Sequence, residues 1–414
     1  KGLITKMKKT TKDAIIIGFA LFSMFFGAGN LIFHGHLGYQ LGSQYFIGML
    51  GFIITGVGLP LLAILACSKG DGTFEGIAEK ISKKFAIIFT SVLFLSIGPL
   101  LAVPRTAATT FEVSINPFFP AIPAWVVILA YFIINIVLVL KRSSIIDTIG
   151  KFLTPALIII LVVLIIKGIF MPIGTISQNN DTGVFAYSLL EGYQTMDALA
   201  ALLFAAIITS SIKNKGYKGK EMSKVLLIGS LVAVIGLAFV YGGITYIGAQ
   251  TSGLVSGDIN KTSLLVLIAK NVLGSAGPIL IGVAMALACL TTSIGLITAG
   301  ADYFETITKG KLSYKFNVLA ISIVSFTVAL LGVDNIVVFS APILNLLYPV
   351  SITIIVFALL HKHIKIKAGR LGVYTSLVFS ILLLIPGLNL NFLPLASIGF
   401  GWLLPTALAM IIGQ

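Results

Sequence analysis

Apolar runs of membrane-spanning length recur from one end of this 414-residue chain to the other, and they restrict its fold more than any other feature. About 20 consecutive apolar residues in a helix cross the roughly 30 Å hydrocarbon core of a bilayer. Runs of that kind are predicted at Ala14 to Leu37, Tyr45 to Cys67, Phe85 to Phe111, Ala124 to Leu140, Ile145 to Phe170 and Val184 to Ile212. Six more follow, at Val225 to Gly248, Pro278 to Phe304, Asn317 to Gly332, Ile336 to Leu360, Leu371 to Ile385 and Leu393 to Ile412. Hydrophobic residues make up 57% of the chain and charged ones 10%. An ordinary soluble domain carries about 25% charged residues, so that class is excluded. The expectation is an all-α polytopic membrane protein with twelve transmembrane helices.

The positive charge tests that count. The chain carries a net charge of +14, which on a soluble protein would point to nucleic acid or an anionic surface. Short cytoplasmic loops are enriched in Lys and Arg. With the N-terminus inside, alternate connections hold 24 of the 28 Lys and Arg residues, Lys141, Arg142 and Lys151 among them. Only Lys167, Lys261 and Lys270 fall in outer segments, and Arg105 falls within a span. The charge is therefore topological, both termini are expected in the cytoplasm, and no nucleic-acid partner is expected. The Lys-rich start followed by Gly27-Ala28-Gly29 resembles a cleavable signal peptide, but the apolar run resumes at Leu31-Ile32-Phe33, which favours an uncleaved first helix. Two shorter features are expected at the surface: a re-entrant or interfacial helix at Leu264 to Val272, and a short helix within Ser68 to Lys84. The cysteines, Cys67 and Cys289, both lie in apolar runs and imply neither disulfide nor metal cluster.

Three spans have polar centres. Gly27, Ala28, Gly29 and Asn30 interrupt the first run, where glycine costs a helix about 1 kcal/mol relative to alanine and lipid cannot satisfy the asparagine. A helix break at bilayer depth is tolerated where it is buried in protein or lines a cavity. Small-residue packing is the alternative use of such a glycine pair. The sixth run carries Glu191, Tyr193, Gln194, Thr195, Met196 and Asp197, with Asp197 deep enough to be costly as a charge. Interrupted helices at matching positions of two halves point to an inverted-repeat secondary transporter. Five helices per repeat gives a first repeat over 14–170, an inverted second over 184–360 and two additional helices over 371–412. In the eighth span Thr291, Thr292 and Ser293 supply neutral oxygens that suit a hard cation. Arg105 and Glu112, seven residues apart in the third span, are expected to pair or to hold a gate; Asp197 joins them as a coupling candidate. His34 and His36 are expected near the interface, with a proton or metal site as the alternative.

At Gly27 to Phe33, Ser96-Ile97-Gly98-Pro99, Val103 to Glu112 and Gly192 to Ala200 the sequence resembles the branched-chain amino acid:cation symporter (LIVCS) family of bacterial carriers. The resemblance covers nearly the whole chain, with one departure at His34-Gly35-His36, where family members usually carry prolines. More distantly it resembles the LeuT-type fold of five-plus-five inverted repeats. That resemblance implies a substrate carboxylate at the amides of Ala28 and Gly29. It also implies a Na⁺ site from Ser23 and Phe26 of helix 1 with Ala288, Thr291 and Thr292 of helix 8. Gly98 is expected to shape the side-chain pocket.

The expected function is import of leucine, isoleucine or valine across a bacterial plasma membrane, coupled to Na⁺ by alternating access. Na⁺ is the co-transported ion, and no organic cofactor or obligatory protein partner is expected. Proton coupling is the alternative, because a buried Asp197 can carry a proton. A non-transporting amino acid sensor is a further one. No G-x-x-x-x-G-K-[ST] stretch occurs, so ATP-driven transport by this chain is not expected. No Cys/His pair or H-E-x-x-H motif supports a membrane enzyme.

Overall fold

Glycine and proline decide where the apolar runs stop being single helices. The computed structural model describes residues 2–141, 154–255, 257–388 and 390–414. The first run is two helices, α1 (Gly2–Phe25) and α2 (Ala28–Leu41). Gly27 between them is extended, and its N–H turns to the Phe25 carbonyl at 2.9 Å and to Asn30 Oδ1 at 3.1 Å. Next come α3 (Tyr45–Ile53), a π-helical stretch at Ile54–Gly58 and α4 (Leu59–Ser68). The expected short helix of the following loop is α5 (Phe74–Ala78), capped by Thr73 Oγ1, which accepts from Gly76 N at 2.9 Å.

The third span is a relay of α and π geometry. It runs from α6 (Lys83–Leu95) through a π stretch at Ser96–Ala102 into α7 (Val103–Thr109), then a second π stretch at Thr110–Ile115. Pro99 sits inside the first π stretch. Proline has no N–H to give the ladder, and a locally widened turn absorbs the defect. Further on lie α8 (Ala124–Leu140) and α9 (Thr154–Phe170). Arg142, Lys151 and the expected start of the fifth span at Ile145 lie outside the described residues.

The second interrupted run is α10 (Val184–Tyr193) and α11 (Asp197–Asn214). Met196 joins them at φ 64°, a left-handed conformation that a non-glycine residue holds at a cost of roughly 1–3 kcal/mol. The chain continues as α12 (Gly219–Thr251), α13 (Lys261–Leu273), α14 (Gly277–Ile307), α15 (Tyr314–Ala329), α16 (Val333–Leu360), α17 (Ile366–Leu384) and α18 (Leu403–Ile412). The α13 helix occupies the segment expected to be re-entrant or interfacial.

The expectation for the last run needs correcting. In place of a helix from Leu393 to Ile412, the chain turns twice through left-handed geometry, at Leu395 (φ 66°) and Gly399 (φ 83°), around a short 3-10 turn at Ala396–Ile398, and is α-helical only from Leu403. Its 10 residues reach about 15 Å, half of a hydrocarbon core. Pro394 and the glycines outweigh the run's hydropathy.

The protein is mostly helical, with seven helical segments long and apolar enough to cross a membrane among the described residues. Ile88, Ile133, Ile159, Ile235, Ile323 and Val338 stay exposed on outer faces, as lipid contact allows. The break between α1 and α2 is braced by α12, which packs against both halves. A Cβ on Gly18 would lie 2.8 Å from the Gly229 carbonyl, and one on Gly38 would run into the Thr245 carbonyl. Such small residues let helix backbones approach closely where no hydrophobic driving force holds them.

Candidate functional site

The two breaks meet. Asn30, in the first turn of α2, donates from Nδ2 to Asp197 Oδ2 at 2.5 Å and to the Tyr241 hydroxyl of α12, while its Oδ1 accepts from Gly27 N. The Tyr241 hydroxyl donates to the same Asp197 oxygen at 3.0 Å. One asparagine thus caps its own helix and ties it to the first residue of α11. Asn30 and Asp197 are 1% and 2% exposed, where an unsatisfied polar atom would cost roughly 1–3 kcal/mol.

Arg105 of α7 reaches the same junction. Its Nη1 donates to the Gln194 carbonyl at 2.6 Å and its Nη2 to the Thr195 carbonyl at 3.3 Å, which satisfies acceptors that the unwound segment frees. The guanidinium stands 5.5 Å from the centre of the Phe33 ring, and Nε has no partner among the described residues. The expected pairing with Glu112 does not occur. The π stretch from Thr110 changes the helical register between them, and Glu112 turns toward α13 and α16. There its Oε2 accepts from Thr262 Oγ1 at 3.1 Å and its Oε1 from Val333 N at 3.0 Å, at the N-terminus of α16.

The hydroxyls of α14 face α1. Thr291 Oγ1 lies 2.9 Å from the carbonyls of Ser23 and Ala288 and from Ser23 Oγ. Thr292 Oγ1 donates to the Met24 carbonyl at 3.0 Å, with the Ser23 carbonyl at 3.5 Å. This is a set of neutral oxygens, the chemistry a hard cation selects. Ser293 points elsewhere, since successive helical residues are turned by about 100°. It accepts from the Tyr131 hydroxyl at 2.9 Å and donates to Asn135 Oδ1 at 2.5 Å.

Gly27, Ala28, Gly29, Asn30, Thr195, Met196, Asp197, Arg105 and Thr292 line one cavity with Phe25, Ala102, Ala200 and Leu296. Other expected site residues lie off it. Tyr193 stacks on Tyr348 at 4.0 Å, and Gln194 Oε1 accepts from Ser340 Oγ at 3.2 Å, so both side chains face α16. Gly98 sits in the first π stretch of the third span with no atom within 4 Å of where a Cβ would stand. Phe26 packs against Phe22 and Tyr241, and the carbonyl that Thr292 meets is that of Met24.

His34 is not interfacial. Because α2 continues to Leu41, His34 falls one turn beyond Asn30, with its ring 4.0 Å from Phe52 and 3.8 Å from Tyr241. Its Nδ1 donates to the Asn30 carbonyl at 2.5 Å, and Nε2 has no partner among the described residues. Tyr241 is not legible in the sequence, because a single phenol in an apolar span carries no pattern. Among the described residues no group of three or more His, Cys, Asp or Glu residues is placed to hold a metal ion.

The Branched-chain amino acid transport protein family matches residues 10–414. This chain belongs to that family. The branched-chain amino acid permease BraB of Bacillus subtilis (strain 168) is 37% identical over 424 residues, covering 97% of this chain and 95% of the relative. Among solved structures, the chain is similar to Mhp1, a nucleobase-cation-symport-1 family transporter, in a closed conformation with bromovinylhydantoin bound. The TM-score is 0.65 at 15% identity, covering 97% of this chain and 91% of the other. A Na⁺-coupled sialic acid symporter in a substrate-bound outward-open state gives a TM-score of 0.59 at 17% identity, covering 97% and 90%. At those identities the likeness is one of fold. Members of the family are transport proteins rather than enzymes.

Proposed function

We propose that this protein is a Na⁺-coupled symporter that imports leucine, isoleucine or valine across a bacterial plasma membrane by alternating access. In this reading the chain keeps a first repeat over 14–170, an inverted repeat over 184–360 and two additional helices over 371–412, the last of them short at Leu403–Ile412, with both termini in the cytoplasm. The observation that carries the reading is the meeting of two helix breaks, at Gly27 and at Gln194 to Met196, around one buried cavity. Unwound segments at membrane depth bind solutes through their freed backbone groups. The Na⁺ position is the oxygen set of Ser23, Met24, Ala288, Thr291 and Thr292. Substrate lies against Gly27, Ala28, Gly29 and Asn30 on one side and Thr195 and Met196 on the other. Apart from its ends it meets apolar side chains, as a branched aliphatic side chain requires. The family and its permease relative support the substrate class, and the sialic acid symporter supports the ion.

Proteoliposomes containing the purified protein test this directly. An inward Na⁺ gradient is expected to drive accumulation of labelled leucine above its equilibrium level. Uptake that is the same with and without a gradient would defeat symport. Asp197, buried inside the cavity, favours proton coupling as the second reading. A pH gradient imposed without Na⁺ separates the two.

A further inference from the structure

We propose that Arg105 and Asp197 are the two charged poles of the substrate seat. The guanidinium takes the carboxylate of a zwitterionic α-amino acid, and the Asp197 carboxylate takes its ammonium. This rests on the amino acid transport reading and adds how the site selects an amino acid over any other branched aliphatic molecule.

Both groups line the same cavity, and both are nearly enclosed, at 3% and 2% exposed. A charge at membrane depth is costly unless something compensates it. Yet among the described residues no ion pair within 4.0 Å joins the two. The partners of Arg105 are the neutral carbonyls of Gln194 and Thr195 and the face of Phe33, and its Nε is unpartnered. Asp197 accepts from neutral donors, Asn30 and Tyr241. These bonds fix where each group points, and the opposite charges act on each other without a direct ion pair. An α-amino acid carries its carboxylate and ammonium on one carbon, so a single ligand completes both poles at once.

The backbone strengthens the cationic pole. Helix α2 begins at Ala28, and the first amides of a helix have no intrahelical acceptor and carry the positive end of its dipole. Arg105 Nη2 packs on the face of Gly29, 2.7 Å from where a Cβ would stand, so guanidinium and helix start converge. Arginine's planar fork suits a carboxylate. Lys261, whose Nζ stands 5.6 Å from the centre of the Phe33 ring, is not among the cavity-lining residues. The apolar wall of Phe25, Ala102, Ala200 and Leu296 is left for the side chain.

The test compares leucine with leucinamide, which lacks the carboxylate, and with 4-methylpentanoate, which lacks the ammonium. Binding to the purified full-length protein in saturating Na⁺ is read as ligand-induced thermal stabilisation. In the wild type, each analogue is expected to bind at least about thirtyfold more weakly than leucine, the scale of losing one partner of a buried charge pair. Arg105→Gln is expected to weaken leucine by a similar factor and leucinamide by much less. Asp197→Asn does the same for leucine and weakens 4-methylpentanoate by much less. Arg105→Lys recovers part of the leucine affinity. The proposal is overturned if the wild type binds leucinamide or 4-methylpentanoate as tightly as leucine, a comparison that needs no variant to fold. It is also overturned if folded variants weaken leucine and its analogue equally. Methionine, alanine and phenylalanine with their amides and deamino analogues complete the panel. Binding of one of these in place of leucine fails the branched-chain reading while still reading the two poles, and binding of none overturns both.

Discussion

Asn30 donates to Asp197 at 2.5 Å, and this bond joins the third residue of α2 to the first residue of α11 across the cavity. The two interrupted helices are therefore one mechanical unit at their breaks. Tyr241 closes the triangle from α12, the helix that also packs along α1 and α2.

Asn30→Ala is expected to remove the Gly27 cap and both contacts of Nδ2 together. The Asp197 carboxylate would keep Tyr241 as a donor and lose the other. Each buried hydrogen bond lost costs about 0.5–1.5 kcal/mol net, so the melting temperature should fall by several degrees. Leucine uptake should fall further than stability does, because the geometry of both breaks depends on this residue. Uptake that stays at the wild-type rate would show the asparagine to be a helix cap alone.

Thr291→Ala and Thr292→Ala each remove one neutral oxygen from the set facing α1. The half-saturating Na⁺ concentration for leucine uptake is expected to rise about tenfold, equivalent to roughly 1.4 kcal/mol of cation binding. Ser293→Ala is the control. Its hydroxyl serves Tyr131 and Asn135, so it should lower stability by about 1 kcal/mol and leave the Na⁺ dependence unchanged.

Both breaks were legible in the sequence because Gly27 to Asn30 and Gln194 to Asp197 put polar or flexible residues where an apolar helix should continue. Thr291 and Thr292 were legible for the same reason. What escaped were the relations that depend on rotation about a helix axis. Seven residues suggested one face for Arg105 and Glu112, but the π stretch at Thr110–Ile115 sends Glu112 to Val333. Ser293 looked like part of the cation set and turns away from it. His34 looked like the end of a helix that runs on to Leu41. Leu393 to Leu403 looked helical by hydropathy, and backbone geometry at Leu395 and Gly399 overrides it.

Gly38→Val tests the bracing of α2 by α12. The obstacle is the Thr245 backbone, with the Ala249 amide 2.7 Å from the added carbon, and a helix backbone cannot rotate aside as a side chain does. Overpacking of a tight contact costs about 1–3 kcal/mol or more. The expected result is a much smaller monodisperse peak in detergent gel filtration. Gly98→Ala, which meets nothing within 4 Å, is expected to retain both the peak and leucine uptake.

Gly29→Ala separates site from scaffold. Its new Cβ would stand 2.7 Å from Arg105 Nη2 and 3.3 Å from Phe33 Cδ2, so the guanidinium must move. The neighbour is the end of a flexible side chain, which lets the fold survive where Gly38→Val does not. Displacing the guanidinium loosens its hold on the Gln194 and Thr195 carbonyls and misplaces its charge. Leucine affinity is expected to drop at least tenfold, about 1.4 kcal/mol, with the ligand-free protein still folded and its melting temperature lowered far less than in Gly38→Val. Because Gly29 acts through the position of Arg105, the losses from Gly29→Ala and Arg105→Gln should not add in the double variant. Full additivity would place Gly29's effect elsewhere, in the amides of the α2 start.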